Sequence, residues 1–285
     1  MDSLESTAAG EARRRAVLGV CALLLLAMLS NRLTDFDLWF SARFAAGTAG
    51  FAWREHWLTA GVLHAGARWL STALAAGLLL AWLAGWRSGS TVLRRARLPI
   101  GVTLLSALAA ALAVALLKQA SRHSCPWDLQ AFGGRFEFFR LLAALPANPG
   151  PGQCLPSGHA STGFMWIGAV YAAARWPRAT PWARWPAWRG AGLLLAAVSA
   201  LAQVVRGAHF LSHVLIGVAV CWAMAWAVDA ACGLAPALRS LRLRLQGAGA
   251  RPAFRTAPGT APALAARAAP HRAARRRPGA AGPRP

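Results

Sequence analysis

Charged residues, and acidic residues above all, are scarce in this sequence. Of its 285 residues, 14% are charged, whereas an ordinary soluble domain carries about 25%. Nine acidic residues stand against 31 basic ones, and the run 98–117 contains no charge at all. These scarcities argue against a soluble helical bundle and favour a chain that lies in a lipid bilayer.

Six apolar runs approach the length that spans a bilayer, and they cover about 16–31, 69–85, 98–117, 160–174, 190–205 and 214–235. Several are rich in Ala and Gly, which let helices pack closely in lipid. The sequence therefore predicts an all-α, polytopic membrane protein with six transmembrane helices and with interfacial helices in its outer loops. Three arginines precede the first run, as in a signal peptide. No convincing small-residue cleavage site follows, which favours an uncleaved helix.

The placement of arginine sets the predicted orientation. Loops 87–97 and 175–189 each carry four arginines, and the segment after the last run carries eleven and no acidic residue. The positive-inside rule makes these segments and both termini cytoplasmic. We expect a cytoplasmic N-terminal segment (1–15), a six-span domain (16–235) and a disordered Arg-, Pro- and Ala-rich cytoplasmic tail (236–285). The net charge of +22 follows from topology and tail, and it predicts no nucleic acid partner.

The segments left on the outer side, 32–68, 118–159 and 206–213, contain three polar clusters at the ends of apolar runs. These clusters supply groups that suit a phosphate: cations, a hydroxyl, a glycine amide that a ligand can approach, and titratable imidazoles. The second cluster also stands at the start of a predicted helix, where free amides and the helix dipole favour an anion. The clusters are Lys118, Arg122 and His123; Ser157, Gly158 and His159; and Arg206, His209 and His213.

Four of the histidines have more than one interpretation. His209 and His213 share a helix face at i,i+4 spacing, so they could hold zinc or act as a nucleophile and its orienting partner. A zinc site needs a third protein ligand, and no acidic residue lies near this end of the fifth run, which favours the second interpretation. His56 and His64, in the tryptophan-containing outer segment, are interpreted as interfacial polar residues, with a lipid-headgroup role as the alternative.

Taken together, the three clusters resemble the membrane-bound type 2 phosphatidic acid phosphatase family, which shares its core with vanadium haloperoxidases. That family carries Lys, six residues and Arg-Pro; then Pro-Ser-Gly-His; then Ser-Arg, five residues, His, three residues and Asp. Lys118 precedes a Cys-Pro pair at the first spacing. Residues 156–159 match the second motif in full, and His209 occupies the histidine of the third. The resemblance covers roughly residues 98–230, and its core motifs fall within them.

The sequence departs from the family motifs at three of their charged positions. Cys125 replaces the Arg of the first motif, Gln203 replaces the Arg of the third, and His213 replaces its Asp. Arg206 lies three residues after Gln203, almost one helical turn further on. The Cys-Pro-Trp-Asp run that begins at Cys125, together with the Arg-Gly-Ala-His-Phe-Leu-Ser-His run that begins at Arg206, is similar to a bacterial branch of the family in which these changes occur together.

The resemblance implies an integral-membrane lipid phosphatase that works through a phosphohistidine. His209 would attack the phosphoryl group, His159 would protonate the leaving oxygen, and His213 would orient His209 in place of the family's Asp. The groups implied to hold the phosphate oxygens are Lys118, Ser157, the Gly158 amide and Arg206, with Arg122 or His123 supplying the charge missing at Cys125. This mechanism implies no metal and no cofactor.

The lipid itself is left open: phosphatidic acid, phosphatidylglycerol phosphate, an isoprenyl diphosphate and a lipid A phosphate all fit. The alternatives to hydrolysis are phosphoryl transfer to another lipid and a non-catalytic transporter on the same spans. Histidines near the outward ends of three apolar runs argue against the transporter. We expect a bacterial inner-membrane protein whose active site faces the periplasm and whose partners are the bilayer and a membrane lipid substrate. The sequence predicts no oligomeric state.

Two of the five cysteines are expected to form a disulfide. Cys125 and Cys154 are the only cysteines in an outward segment, and thiols on a periplasmic face tend to oxidise. The bridge would close a loop of about 30 residues and would tie the lysine cluster to the Pro-Ser-Gly-His turn. Two free thiols are the alternative. Cys21, Cys221 and Cys232 lie in apolar runs, where they are expected to pack as small hydrophobes.

Overall fold

The computed structural model describes residues 2–180 and 187–249, and it is helical apart from its connecting loops. Within these residues, β-pairing is limited to two isolated bridges, Ala45 with Phe51 and Leu129 with Phe136. The predicted all-α fold class is confirmed. The α-helices of the described chain are α1 (Asp2–Met28), α2 (Phe36–Ala42), α3 (Ala67–Arg87), α4 (Thr91–Ala120), α5 (Gly158–Phe164), α6 (Gly168–Arg175), α7 (Ala187–Val205) and α8 (Leu211–Gly249).

Shorter helical turns complete the outer connections. π-Helical segments cover Leu29–Leu33, directly after α1, and Trp57–Gly66, directly before α3. The outer loops also contain α2 and the 3₁₀ turns Gly47–Ala49, Pro126–Asp128 and Gln130–Phe132. The segment before α3 is the main surprise, because the sequence analysis places residues 57–66 in an outer connection. The structure instead joins them to a membrane-length helix.

Five helices in the described chain are long and apolar enough to cross a bilayer: Arg13–Leu33, Trp57–Arg87, Thr91–Ala120, Ala187–Val205 and Leu211–Gly233. The chain is therefore a multi-pass membrane protein. The sixth expected span, 160–174, is divided into α5, the 3₁₀ turn Met165–Ile167 and α6, so it does not form a single helix of spanning length. Glycines on both sides of the 3₁₀ turn, Gly163 and Gly168, account for the interruption because glycine is unfavourable in a helix interior.

The C-terminal part of the chain divides from the rest. Contacts within the chain separate a compact unit that ends at Ser240 from the segment that begins at Leu241. The backbone of the first 14 residues of the predicted tail, 236–249, continues helix α8. The Leu- and Arg-rich sequence there explains the helix, since both residue types are good helix formers. The rest of the predicted disordered tail, 250–285, lies outside the described residues.

Small residues allow the helices around α5 and α6 to approach closely. A Cβ atom added to Gly163 would lie 2.6 Å from the Cβ atom of Ala196 in α7. One added to Gly168 would lie 2.4 Å from the Cβ atom of Ser106 in α4. Both distances are far below van der Waals contact, so only glycine fits at either crossing. This is the close packing that the Ala- and Gly-rich composition predicts for helices in lipid.

The α4–α6 crossing gives a test of this packing. Gly168→Ala should destabilise the protein by about 1–3 kcal/mol, because the new methyl group must push Ser106 and its helix away. Gly77→Ala is the matched control, because Gly77 lies within α3 and has no atom within 4 Å of the added Cβ. The control should change stability by no more than about 1 kcal/mol, in the stabilising direction, since alanine favours a helix. Thermal unfolding in detergent compares the two variants, and equal effects would contradict the close crossing.

Candidate active site

The first two polar clusters meet where α4 ends and α5 begins. Lys118 lies in the last turn of α4, and its Nζ atom is 3.7 Å from the position that a Cβ atom on Gly158 would occupy. Ser157 caps α5, because its Oγ atom accepts a hydrogen bond of 3.2 Å from the Ala160 amide. The absence of a side chain at Gly158 therefore leaves the lysine ammonium facing the backbone at the start of α5.

The loop between these helices is tied back onto itself. The structure contains the expected disulfide between Cys125 and Cys154, whose Cα atoms are 5.2 Å apart. The amide of Cys154 donates to the carbonyl oxygen of His123 at 2.9 Å, and the amide of Gln153 donates to that of Ser121 at 2.8 Å. One covalent bond and two backbone hydrogen bonds thus hold the chain after Lys118 against the chain before Ser157.

The third cluster lies on the turn between α7 and α8. Gly207 adopts φ +72°, and a Cβ atom there would lie 2.2 Å from the Phe51 ring, so both backbone conformation and space require glycine. The carbonyl oxygen of Gly207 accepts a hydrogen bond of 3.0 Å from the Trp127 amide. The amide of Ser157 donates to the carbonyl oxygen of His213 at 3.0 Å. The turn is thereby joined to both of the other clusters.

Five of the seven histidines form a continuous series of neighbouring rings, which we name the histidine row. Successive ring centroids are 3.9, 6.4, 6.1 and 6.2 Å apart. The three histidines assigned to catalysis occupy its centre. The row runs in the order His64, His159, His209, His213 and His123.

His209 is almost completely buried, with 3% of its surface exposed, and it contacts the disulfide directly. Its Nδ1 atom lies 3.3 Å from Sγ of Cys154. The ring of His213 stands at 68° to that of His209, and its Nδ1 atom has no hydrogen-bond partner within the described residues. The hydrogen bond expected between His213 and His209 is therefore not formed in this structure, because the disulfide sulfur occupies the place beside Nδ1.

The electrostatic environment keeps the central imidazoles neutral. Burial, followed by neighbouring positive groups, lowers the pKa of His209 well below its ordinary value. Burial also lowers the pKa of His159 to about 3, and nearby cationic groups add to the effect. Those groups include His64, Lys118, Arg206 and Arg68. Both effects have one physical cause: a low-dielectric site that already contains positive charge disfavours a further proton.

Arg206 is held rigidly at the edge of the histidine row. Only 6% of its surface is exposed, its Nε atom donates to the carbonyl oxygen of Arg54 at 2.8 Å, and its Nη1 atom lies 3.4 Å from Oε1 of Gln203. Arg68 acts on His159 electrostatically from the first turn of α3. Arg68 was not among the predicted phosphate ligands. The signal that could have identified it is its position four residues after His64.

The remaining predicted phosphate ligands, Arg122 and His123, lie in the loop after α4. Arg122 is exposed and makes no hydrogen bond or ion pair with another described residue. His123 stacks on Phe139 at a centroid distance of 4.2 Å and neighbours His213, at the end of the row opposite His64. Burial lowers the pKa of His123, which favours its neutral form. A phosphate-binding role for these two residues stays a prediction.

An acidic residue that the sequence analysis did not select supports the start of α8. The Asp37 carboxylate accepts hydrogen bonds from the Ser212 amide at 3.1 Å, from the Ser212 hydroxyl, and from Asn31 Nδ2 at 2.9 Å. Burial raises the pKa of Asp37 even though these bonds favour its charged form. Asp37 is one of only nine acidic residues, and that rarity within an outer segment is the signal that could have identified it.

The described residues contain one group with the spacing of a metal site. The ligand atoms of Cys125, Cys154 and His209 lie within 4.8 Å of one another. The two sulfur atoms are bonded to each other, however, and a metal ligand must be a thiolate. As folded here, this group does not fit a metal, and the group does not include His213.

Two features define the class of this protein: helices of membrane-spanning length, and a site in which imidazoles and cations converge and, in the described part of the chain, form no ion pair with a carboxylate. Residues 100–231 match the family model of the PAP2 superfamily, so this part of the chain belongs to that superfamily. The match confirms the family resemblance carried by the motifs, and it implies phosphatase-type activity on phosphate esters, often those of lipids. No curated protein and no solved structure matched the chain.

The lowered pKa values predict that neither His159 nor His209 titrates near neutral pH. The His159 imidazole should stay neutral from pH 7 down to about pH 5, and the His209 imidazole should stay neutral at pH 7, whereas an ordinary histidine titrates near 6.5. NMR of ¹⁵N-histidine-labelled protein in detergent measures this, because protonation shifts the ring nitrogen signals. Single His159→Ala and His209→Ala variants assign the two sets of signals. A midpoint between about pH 6 and 7 for either residue would contradict the electrostatic description of the site.

Proposed function

We propose that this protein is a metal-independent lipid phosphatase of the bacterial inner membrane, with its active site on the periplasmic side, and that it works through a phosphohistidine. The observation that carries the proposal is the convergence of His159, His209 and Lys118 from three separate parts of the chain. Phosphoryl transfer requires positioning and stabilisation of negative charge more than it requires covalent help from acids and bases. The site contains groups for positioning the phosphate and groups for stabilising its negative charge.

The first step assigned to this site forms a bond between His209 and phosphorus. Because Nδ1 of His209 contacts the disulfide, Nε2 is the nitrogen left for the attack. The low pKa of His209 keeps its ring neutral, so that the attacking nitrogen carries its lone pair. As the bond between phosphorus and the lipid oxygen breaks, His159 passes a proton to that oxygen. A water molecule then cleaves the phosphohistidine, and His159 accepts its proton.

His159 must be protonated before it can act as an acid, and a bound substrate favours this protonation. Its pKa is about 3, so the ring is neutral. A bound phosphate dianion places negative charge beside the imidazole and favours the protonated form. The phosphate oxygens are assigned to Lys118, Arg206, Ser157 and the Gly158 amide, with Arg122 and His123 as further candidates. Phosphate binding and activation of His159 are thereby coupled.

A cavity beside the site supports a lipid as the substrate. It has a volume of about 400 Å³ and an almost wholly apolar lining contributed by α3 to α7. Its lining includes Ala67, which follows His64 by three residues, and Thr162, which follows His159 by three residues. Each is about one helical turn from a histidine of the row. A substrate with its phosphate at His159 could therefore extend a hydrocarbon chain into this space.

Two substitutions test the nucleophile and the acid. His209→Ala and His159→Ala should each lower phosphate release from phosphatidic acid by about 100-fold or more, the scale on which acid–base assistance acts. His56→Asn is the matched control, because His56 lies in the same outer segment as His64 and caps a helix through Nδ1, a role that asparagine retains. Phosphate release from a panel of lipid phosphates, by purified protein in detergent, measures all four proteins.

The same assay separates the rival interpretations. Chelators should leave the wild type active, and a loss on EDTA that zinc restores would contradict the metal-free mechanism. Transfer of radiolabelled phosphate to a second lipid, in place of inorganic phosphate release, would identify a phosphotransferase. Full activity in both alanine variants, or none in the wild type on any lipid of the panel, would contradict a phosphatase centred on these histidines.

We further propose that His213 stabilises the imidazolium form of His209 that appears during the reaction. The ring centroids are 6.1 Å apart, and Nδ1 of His213 is buried without a hydrogen-bond partner within the described residues. His213→Ala should lower activity by about 100-fold, whereas His213→Asp, which restores the family residue, should retain substantial activity. Full activity in the alanine variant would show that His213 only packs between α8 and the outer loop.

A further inference from the structure

His64 reaches the site from outside the region that the family match covers. It lies in the π-helical segment Trp57–Gly66, whereas the match begins at residue 100. Its ring centroid is 3.9 Å from that of His159, with 37° between the ring planes, and its Nδ1 atom lies 3.1 Å from Oε1 of Gln203. We infer that His64, anchored by Gln203, is a positioning residue that holds the His159 ring in the orientation from which it protonates the leaving oxygen. This inference rests on the proposed function.

The hydrogen-bond directions around Gln203 fix the proton on His64. Nε2 of Gln203 donates to the carbonyl oxygen of Ser199 at 3.3 Å, which turns Oε1 toward Arg206 and His64. A guanidinium can only donate, and Nη1 of Arg206 lies 3.4 Å from the same oxygen. An amide oxygen can only accept, so Nδ1 of His64 carries the proton and donates it to this bond. Both lone pairs of Oε1 are then occupied, and the ring of His64 has one preferred orientation.

The contact between the two imidazoles transmits this orientation to His159. Their rings lie closer together than any other pair in the histidine row. A side chain that only tilts by a few tens of degrees can move its reactive nitrogen by about 1 Å, and such a misplacement can lower a rate by about 100-fold. His64 packed against the ring face therefore restricts the rotation of His159 that matters most for proton transfer.

Gln203 and His64 depend on each other chemically. An arginine at position 203, the residue that the related motif carries, offers only donors and could not accept the proton of His64. A glutamine supplies the acceptor, and Arg206, almost one turn later, supplies the guanidinium instead. The exchange of Arg for Gln at this position is thus explained by a second histidine that needs an acceptor.

The dependence of the reaction rate on the leaving group distinguishes a residue that positions an acid from a residue that only supports the fold. Phosphatidic acid expels an alkoxide, which requires a proton, whereas nitrophenyl phosphate expels a stable phenolate, which requires little protonation. His64→Phe keeps a flat ring beside His159 but removes the hydrogen bond to Gln203. It should lower kcat for phosphatidic acid by about 10- to 100-fold, leave KM nearly unchanged, and lower the rate with nitrophenyl phosphate by less than about threefold.

Two further variants sharpen the test. His64→Asn retains a donor near the Nδ1 position, so it should recover part of the lost rate with phosphatidic acid. A double variant, His64→Phe with His159→Ala, should be no slower than His159→Ala alone, because a positioning residue has no effect once its target is absent. His56→Asn, a histidine change in the same outer segment, should show wild-type rates with both substrates.

The outcomes separate this inference from the proposed function. An inactive wild type, or an active His209→Ala variant, would overturn the proposed function and this inference with it. With those two results as expected, equal losses by His64→Phe on both substrates, a change confined to KM, or additive losses in the double variant would overturn the positioning role alone. If His64→Phe does not fold, Gln203→Ala removes the anchor instead and should show the same dependence on the leaving group.

Discussion

The site depends on positive and imidazole groups that lie close together and, within the described residues, form no ion pair with a carboxylate. Within the described residues, ion pairs involve Arg15, Arg54, Arg140 and Arg175, and none involves Lys118, Arg68 or Arg206. A cation that is partly removed from water without an ion-pair partner is costly, and so is a protonated imidazole beside it. The site avoids the second cost by keeping its histidines neutral. A bound phosphate group would remove the first, which supports the phosphate site proposed here.

Such a site can exist only if the surrounding chain prevents it from expanding. The disulfide between Cys125 and Cys154 holds the loop after α4, the hydrogen bond from Ser157 to His213 joins α5 to α8, and Asp37 caps the start of α8. Phe51, Leu129, Phe132 and Phe210 form a buried cluster from the same outer loops. The outer loops therefore act as the rigid part of the site, although loops are ordinarily the mobile part of a membrane protein.

The sequence predicted the helical class, the three polar clusters and the cysteine pair, because each leaves a local pattern: apolar runs, motif spacing, and a count of outward cysteines. It failed where the answer depended on how distant segments meet. His64 was interpreted as an interfacial residue because its neighbours in sequence are tryptophans, yet residues 57–66 continue into α3 and carry it to His159. Asp37 has no motif at all, since its partner Ser212 lies 175 residues further along the chain.

The departures from the family motifs at charged positions can be explained by the contacts that the replacing residues make. Cys125 gives up a cation but gains the bond to Cys154, whose sulfur packs against His209. Gln203 also gives up a cation, yet it gains bonds to His64 and Arg206. Arg206 and Arg68, a residue that the motifs do not include, place positive charge near His159 and lower its pKa. Residues outside the motif positions can therefore provide charge and hydrogen bonds that the motif residues would have provided. For this reason, comparison of the motif positions alone does not describe the proposed site.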